Sequence, residues 1–581
     1  PRVGHRCVDE RNYSCSFFRS LSSCGDWSPG FVHLETKKPS NYITMARSAP
    51  AVGNHGQVTN VLFFITDQQR ADHVGFMGNE TIKTPNLDAI AENGMVFDDG
   101  WVANPICMPN RSSIMTGRPP SAHGCIFNDR SLDWHANTFV RRFRSAGYRT
   151  ALIGKAHLQH GPSRNSVIPV RSSGILAQPH HPSGWDELEN FENYLDGRAP
   201  DIEDFYGFDH VEFSLEHGSS VLGHHLMWAL DRGGRYEDLV VPISEDAPAL
   251  DRSQRWWQVY RPPYDAELHS TNFVADRTIA FIEEATSQDK PFLAWASFPD
   301  PHHPMTPPGL WFDQYKPQDM PIPDSVGDSP EFLPRHLQEA HARHPSDQHF
   351  WVQPCGVAGD HQLVREAMAA TYGMIAMIDE AVGRVTATLE RLGQLDDTII
   401  VFTSDHGDMM GEHGLMLKGY MPFRGTQQVP MLVAAPKLAP GRTSSLACSM
   451  DLGPTLMDLC GIQPYDGMQG ISLVPVLNDP RTTVRDHVLI EEDFPDFPAS
   501  RTLIPSKTRT LVTSDTHYTR NSDRHEMMFD KLADPSERNE LSKDDESRRQ
   551  DSLEQLTDAL IKSADAARGT PIDQSYVEEF G

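Results

Sequence analysis

Two uninterrupted apolar runs, each closed by an acidic residue, constrain this chain most. Val61-Leu62-Phe63-Phe64-Ile65-Thr66 ends on Asp67, and Thr398-Ile399-Ile400-Val401-Phe402-Thr403-Ser404 ends on Asp405. A strand with one wet face alternates apolar and polar residues, whereas a run without alternation suits a strand covered on both faces. Tyr148 to Ile153, Phe292 to Phe298 and Met431 to Ala435 read as further strands. Thr84 caps a helix that continues with Pro85 and is closed by Gly94. Asp360 to Leu392 is mostly one long helix, with Met374, Ile378, Ala381, Val385 and Leu389 in a single core-facing stripe. Strands alternating with helices predict an α/β layered sheet, which places chemistry at the carboxyl ends of its strands. Asp67 and Asp405 both stand at such ends.

Residues 162–260 are rich in Pro, Gly, His and Trp without a period, and read as long loops over the active face. Trp256-Trp257 and His224-His225 within them read as packing and loop anchors. A boundary falls near Asn478 to Arg485. Beyond it, Leu511 to Thr513, His517 to Thr519 and Met527 to Asp530 read as strands before a helical tail. The expected organisation is an N-terminal extension over 1–57, a catalytic domain over 58–480, and a smaller α+β domain with an antiparallel sheet over 481–581.

With 581 residues, 38% of them hydrophobic and 23% charged, the chain has the composition of a soluble globular protein. A formal charge of −29 argues against non-specific binding to nucleic acid or to anionic membranes. No apolar stretch reaches the roughly 18 residues of a membrane span. The 8 Cys fit neither a disulfide framework nor a zinc ribbon, so a reduced, cytoplasmic setting is expected. No basic region followed by an apolar core marks a secretion signal before Met45, a candidate start. A homo-oligomer is compatible with all of this.

The chemistry concentrates around Cys107-Met108-Pro109-Asn110-Arg111. Pro109 suits the first position of a helix, which puts Cys107 just before a helix N-terminus, where unpaired N–H groups favour an anion. Arg111 adds a fixed positive charge one turn in. Asp67-Gln68 and Asp405-His406 offer carboxylate, amide and imidazole donors for one divalent cation. The oxygens suit Ca²⁺, and the imidazole tilts the set towards Mn²⁺. Lys155 and His157 alternate onto one side of an extended segment, so both can face one anion.

The Cys107 run, with its C-x-P-x-R spacing, resembles the signature of type I sulfatases of the alkaline phosphatase superfamily. Gly147-Tyr148-Arg149-Thr150-Ala151-Leu152-Ile153-Gly154-Lys155-Ala156-His157 resembles the second signature of that family. Asn110 stands where the family usually has Ser. The Asp-Gln and Asp-His pairs look like those of phosphonate monoester hydrolases and choline sulfatases. The Lys155/His157 pair points instead to sulfate esters.

The resemblance implies an alkaline-phosphatase-like large mixed sheet flanked by helices. It also implies that a formylglycine-generating enzyme oxidises Cys107 to formylglycine, whose hydrate attacks sulfur. Residue 107 would join Asp67, Gln68, Asp405 and His406 around the cation. Arg111, Lys155 and Lys418 would hold charge on the sulfate oxygens, and His157 would contact the second hydroxyl of the hydrate. The family pattern P-H-x-P maps onto Pro301, His302 and Pro304, making His302 the acid that protonates the leaving oxygen. His303 is expected in solvent or behind the site. Asn128 either touches the anion or forms a turn. The expected activity is hydrolysis of a small-molecule or saccharide sulfate ester. The alternative is phosphonate monoester or phosphodiester hydrolysis at the same site.

Overall fold

The computed structural model describes residues 59–128, 130–161, 181–328, 331–342, 355–357, 359–494 and 504–566. The expected N-terminal extension therefore lies outside the described residues. Among them no helix is long and apolar enough to cross a membrane.

A nine-stranded mixed sheet forms the centre. In chain order its strands are β1 (Asn60–Thr66), β2 (Met95–Phe97), β3 (Arg149–Gly154), β4 (His210–Leu215), β5 (Leu222–Gly223), β6 (Phe292–Ser297), β7 (Thr398–Ser404), β8 (Met431–Ala434) and β9 (Gly441–Thr443). They lie in the order β9-β2-β8-β7-β1-β6-β3-β4-β5. The strands β7, β1, β6, β3 and β4 form a continuous parallel block. β8 joins it antiparallel to β7.

The apolar runs become β1 and β7 because both faces of these strands are covered. Val61, Phe63 and Ile65 pack into one core with Leu152, Trp295 and Val401. Leu62 and Phe64 pack into the other with Ile153, Ala296 and Phe402. Full burial of such side chains contributes about 1.5–3 kcal/mol each, which is why a polar face never appears in either run. The second core is closed by α3 (Ser270–Ser287) and α4 (His361–Arg391). Asp360 caps α4 by accepting from Leu363 N at 3.1 Å, and the Met374-to-Leu389 stripe is buried as expected.

The helix after Thr84 is α1 (Pro85–Ala91), but Thr84 does not cap it with its side chain. Its hydroxyl accepts from Gly75 N at 2.8 Å instead. The loop reading of 162–260 is corrected over its described part. It supplies β4, β5 and the helix His224–Asp231. β4 in fact alternates, with Val211, Phe213 and Leu215 apolar between His210, Glu212 and Ser214, a signal masked by the Pro- and Gly-rich residues around it. Trp256 is buried, and His225 donates from Nε2 to Leu268 O at 2.8 Å and stacks on Phe273, as the packing reading requires.

The C-terminal antiparallel sheet has four strands: β10 (Val488–Asp493), β11 (Lys507–Val512), β12 (Thr516–Asn521) and β13 (Glu526–Asp530). The helix Glu546–Ala566 packs Leu556 and Ala559 against Leu489, Leu511, Tyr518 and Met528 of this sheet.

Candidate active site

Strand register assembles the site. Thr66 of β1 lies beside Ser404 of β7, and Ile65 lies beside Ser297 of β6. Asp67, Asp405 and the segment after Ser297 therefore leave the sheet at one edge. Gly154 ends β3 beside Ser297, with φ +104°, and a Cβ there would come within 1.8 Å of Ser297 O. Only glycine allows that approach, and the next residue, Lys155, donates its N–H to the same oxygen at 3.0 Å.

Cys107 is the first residue of α2 (Cys107–Thr116), after the extended cap residue Ile106. The helix thus begins two residues earlier than Pro109 suggested. Pro109 still falls in the first turn, where its missing N–H costs nothing because no helical acceptor exists there. Met108 N donates to Asn128 Oδ1 at 3.1 Å, so Asn128 satisfies one of these end groups. Asn110 fills the family's Ser position as a structural tie. It accepts from Ala103 N at 3.0 Å and Ser449 Oγ at 2.8 Å, and donates to Asp405 O at 2.6 Å.

Cys107 Sγ lies 3.2 Å from His406 Nε2, 2.8 Å from Lys418 Nζ and 3.9 Å from Asp67 Oδ1. Arg111 is fully buried and takes the Oδ2 atoms of both acids, Asp405 at 2.7 Å and Asp67 at 3.3 Å. It also donates to Lys155 O at 3.1 Å and Ser297 Oγ at 2.9 Å. The Oδ1 atoms of Asp67 and Asp405 are each 3.5 Å from His406 Nε2. One donor atom from each of Asp67, Cys107, Asp405 and His406 lies within 4.8 Å of all the others, and all four residues are buried. Two carboxylate oxygens and an imidazole nitrogen turned to one point are the donor chemistry of a divalent cation.

Burial opposes ionisation of Asp67, but Lys155, Lys418, Arg111 and His406 override it and hold the carboxyl well below its ordinary range. Burial and Asp67 likewise oppose the Cys107 thiolate, and Lys418, Lys155 and His406 reverse that too. His302, His303 and His217 are all pushed well below the ordinary imidazole value, first by burial and then by neighbouring cations and rings.

Gln68, with φ +66°, is held by Asp408, which the sequence did not single out, and by His303. Its Nε2 donates to Asp408 Oδ2 at 2.5 Å, and its Oε1 meets His303 Nδ1 at 3.0 Å. His303 is therefore buried behind Gln68, and the solvent-facing alternative for it is corrected. His302 Nδ1 meets His303 O at 2.5 Å. His217 stacks on His302 with ring centroids 3.8 Å apart and contacts Lys155 Nζ through Nε2. Lys155 also pairs with Asp67.

Glu189 was equally invisible in sequence. It accepts three consecutive backbone N–H groups, from His157 at 2.6 Å and from Leu158 and Gln159 at 2.8 Å. It thereby pins the turn in which His157 sits at φ +51°. Removing this acceptor leaves buried donors unmet, at about 1–3 kcal/mol for the group. Glu189→Ala is expected to melt several degrees lower and to lose about tenfold in kcat/KM, with Glu189→Gln in between; calorimetry and steady-state kinetics check this. Parental activity in Glu189→Ala would show that the turn does not need the carboxylate.

The family model for sulfatases matches residues 59–462, and the model for the C-terminal part of N-sulphoglucosamine sulphohydrolase matches residues 411–565. The chain belongs to the sulfatase family. An arylsulfatase of Clostridium perfringens is 30% identical to this sulfatase over 513 residues, covering 87% of this chain and 94% of the relative. A choline-sulfatase of Rhizobium meliloti is 28% identical, with 74% and 73% covered. The crystal structure of a phosphonate monoester hydrolase of Agrobacterium radiobacter superposes with a TM-score of 0.69 at 25% identity, covering 87% of this chain and 96% of that one. This sulfatase is a sulfuric ester hydrolase on an alkaline-phosphatase-like fold, in a family that generally uses a divalent metal and formylglycine.

Proposed function

We propose that this sulfatase cleaves a small-molecule or saccharide sulfate ester into an alcohol or phenol and inorganic sulfate, using formylglycine formed from Cys107. The observation that supports this most is the meeting of Cys107 Sγ with Lys418, His406 and Asp67 at one edge of the sheet. Sγ stands in for the oxygens that the hydrated aldehyde would carry. A divalent cation and that hydrate would supply an activated oxygen nucleophile and offset the charge of the sulfate.

Asp67, Asp405, His406 and residue 107 would hold the cation, with Gln68 Oε1 as a further oxygen donor. Arg111 keeps the two carboxylates in place by engaging their far oxygens. Lys155 and Lys418 bind nonbridging sulfate oxygens, where charge is held through the transition state. Asn128 has its Oδ1 on Met108, so its Nδ2 is the atom for the anion. His157 holds the second oxygen of residue 107. His302 gives its proton to the leaving oxygen. Burial, then His217 and Lys418, hold this imidazole well below its ordinary value in the free site. A sulfate ester brings negative charge among these groups and so favours the imidazolium when it is needed.

Maturation calls for a formylglycine-generating enzyme as a partner. Mass spectrometry of the peptide carrying residue 107, after co-production with such an enzyme, is expected to show the aldehyde. The phosphonate reading is favoured by the 0.69 TM-score to a phosphonate monoester hydrolase. Kinetics of the matured protein on an aryl sulfate and on a phenyl phosphonate separate the two. A higher kcat/KM on the sulfate is expected, and the reverse order would replace sulfate by phosphonate.

Exhaustive chelation is expected to abolish turnover, with recovery on adding Mn²⁺ or Ca²⁺ back. The ion that restores more activity identifies the preferred cofactor. Full activity in a sample verified free of metal by elemental analysis would remove the cation from the reaction.

A further inference from the structure

Four of the five adjacent parallel strands deliver a functional residue just past their carboxyl ends: Asp405 after β7, Asp67 after β1, His302 beyond β6 and Lys155 after β3. The fifth strand, β4, ends at Leu215 and is followed by Glu216 and His217. Glu216 is held at φ +66°, a left-handed conformation unfavourable to a residue with a Cβ, and Gly218 follows at φ +61°. Backbone strain of this kind persists only where the surroundings impose it. Here it accompanies a turn that presents His217 to two groups of the site. Its Nε2 meets Lys155 Nζ, and its ring lies 3.8 Å from that of His302 at 28°.

We propose that His217 is a positioning residue that aims the Lys155 ammonium with its Nε2 and sets the His302 imidazole with its ring face. This rests on the reading above, in which Lys155 binds the sulfate and His302 protonates the leaving oxygen. An ammonium has three donors and no acceptor, so Nε2 of His217 must accept. Asp67 takes a second N–H of Lys155, which aims the third at a sulfate oxygen. His302 is fixed from both sides. Its Nδ1 meets His303 O, and its ring is stacked between those of His217 and His303, the latter at 4.1 Å. With Nδ1 taken, Nε2 is the nitrogen that faces the leaving group. Losing the His217 ring would let this acid tilt, and losing the His217 acceptor would let Lys155 swing fully to Asp67.

The two halves are separable with a series of ring-substituted phenyl sulfates whose phenols run from strongly to weakly acidic. His217→Gln keeps an acceptor but loses the ring. Its kcat is expected to match the parent for the most acidic phenols and to fall by about tenfold for the least acidic, a steeper dependence on leaving-group acidity. His217→Phe keeps a ring but loses the acceptor. Its KM is expected to rise by about tenfold across the whole series at parental steepness. Melting curves check folding first, and if His217→Phe fails to fold, the steepness in His217→Gln decides. A common loss across the series with parental KM in both variants, or parental kinetics in both, overturns the proposal. His302→Ala is the control for the underlying reading and is expected to show the same steepening more strongly. Parental steepness in His302→Ala would overturn the acid assignment and the ring half with it, while the KM of His217→Phe still reports on Lys155.

Discussion

The Cys107→Ala variant is expected to fold like the parent and to lose turnover by roughly four orders of magnitude or more, as removal of a nucleophile does elsewhere. The side chain contributes one small buried group at the start of α2, and nothing in the helix depends on the sulfur. Its removal leaves Lys418 and His406 without a partner at 2.8 and 3.2 Å, but each keeps others around it. The expected result is therefore a melting temperature close to the parent and no measurable hydrolysis of an aryl sulfate. Cys107→Ser sharpens the test. A single hydroxyl can take the sulfuryl group but has no second hydroxyl with which to expel it, so at most one product molecule per site is expected in a burst experiment. Steady turnover in either variant would refute the placement of the nucleophile at residue 107.

Arg111→Ala is expected to be the most damaging change to stability and to abolish activity as well. The guanidinium is fully buried, joins Asp67 to Asp405, and reaches Lys155 O and Ser297 Oγ. Burial disfavours its charge, yet Asp405 and Asp67 more than compensate and raise its pKa. Its loss leaves two buried carboxylates facing each other with one fewer cation, a defect of about 3–5 kcal/mol. Arg111→Lys recovers charge but not the fork that engages two acids and two further acceptors at once. The expected order of melting temperature is parent, then Lys, then Ala, with activity lost in both variants. Added divalent cation should recover part of the melting temperature of Arg111→Ala, because it also neutralises the carboxylates, without recovering activity. A variant with alanine at 111 that melts and turns over like the parent would remove Arg111 from the heart of the site.

Much of this was legible one segment at a time. The unbroken apolar runs announced doubly covered strands, and the acids closing them announced a strand-end site. The spacing around Cys107 and Lys155 carried a family resemblance that the comparisons bear out. These signals are local: period, capping chemistry and motif spacing act over a few residues. β4 was missed although Val211, Phe213 and Leu215 alternate with polar residues as in a strand, because the surrounding stretch is rich in Pro, Gly and His, and His217 was missed with it. Glu189 gave no signal, since a lone Glu among polar residues looks like solvent-facing charge. Its role depends on three N–H groups some thirty positions away.

The sequence by itself determined the long strands and helices, the doubly covered centre of the sheet, and most of the residues able to do chemistry. The tertiary structure alone decided which of those residues meet. Parallel register between β1 and β7 sets Asp67 beside Asp405, and the α2 end brings Cys107 to them. The order of strands across the sheet then ranks His302, Lys155 and His217 along the same edge. The physical reason is that such contacts are made between segments distant in the chain, so they follow from packing both cores at once and from no short stretch of residues.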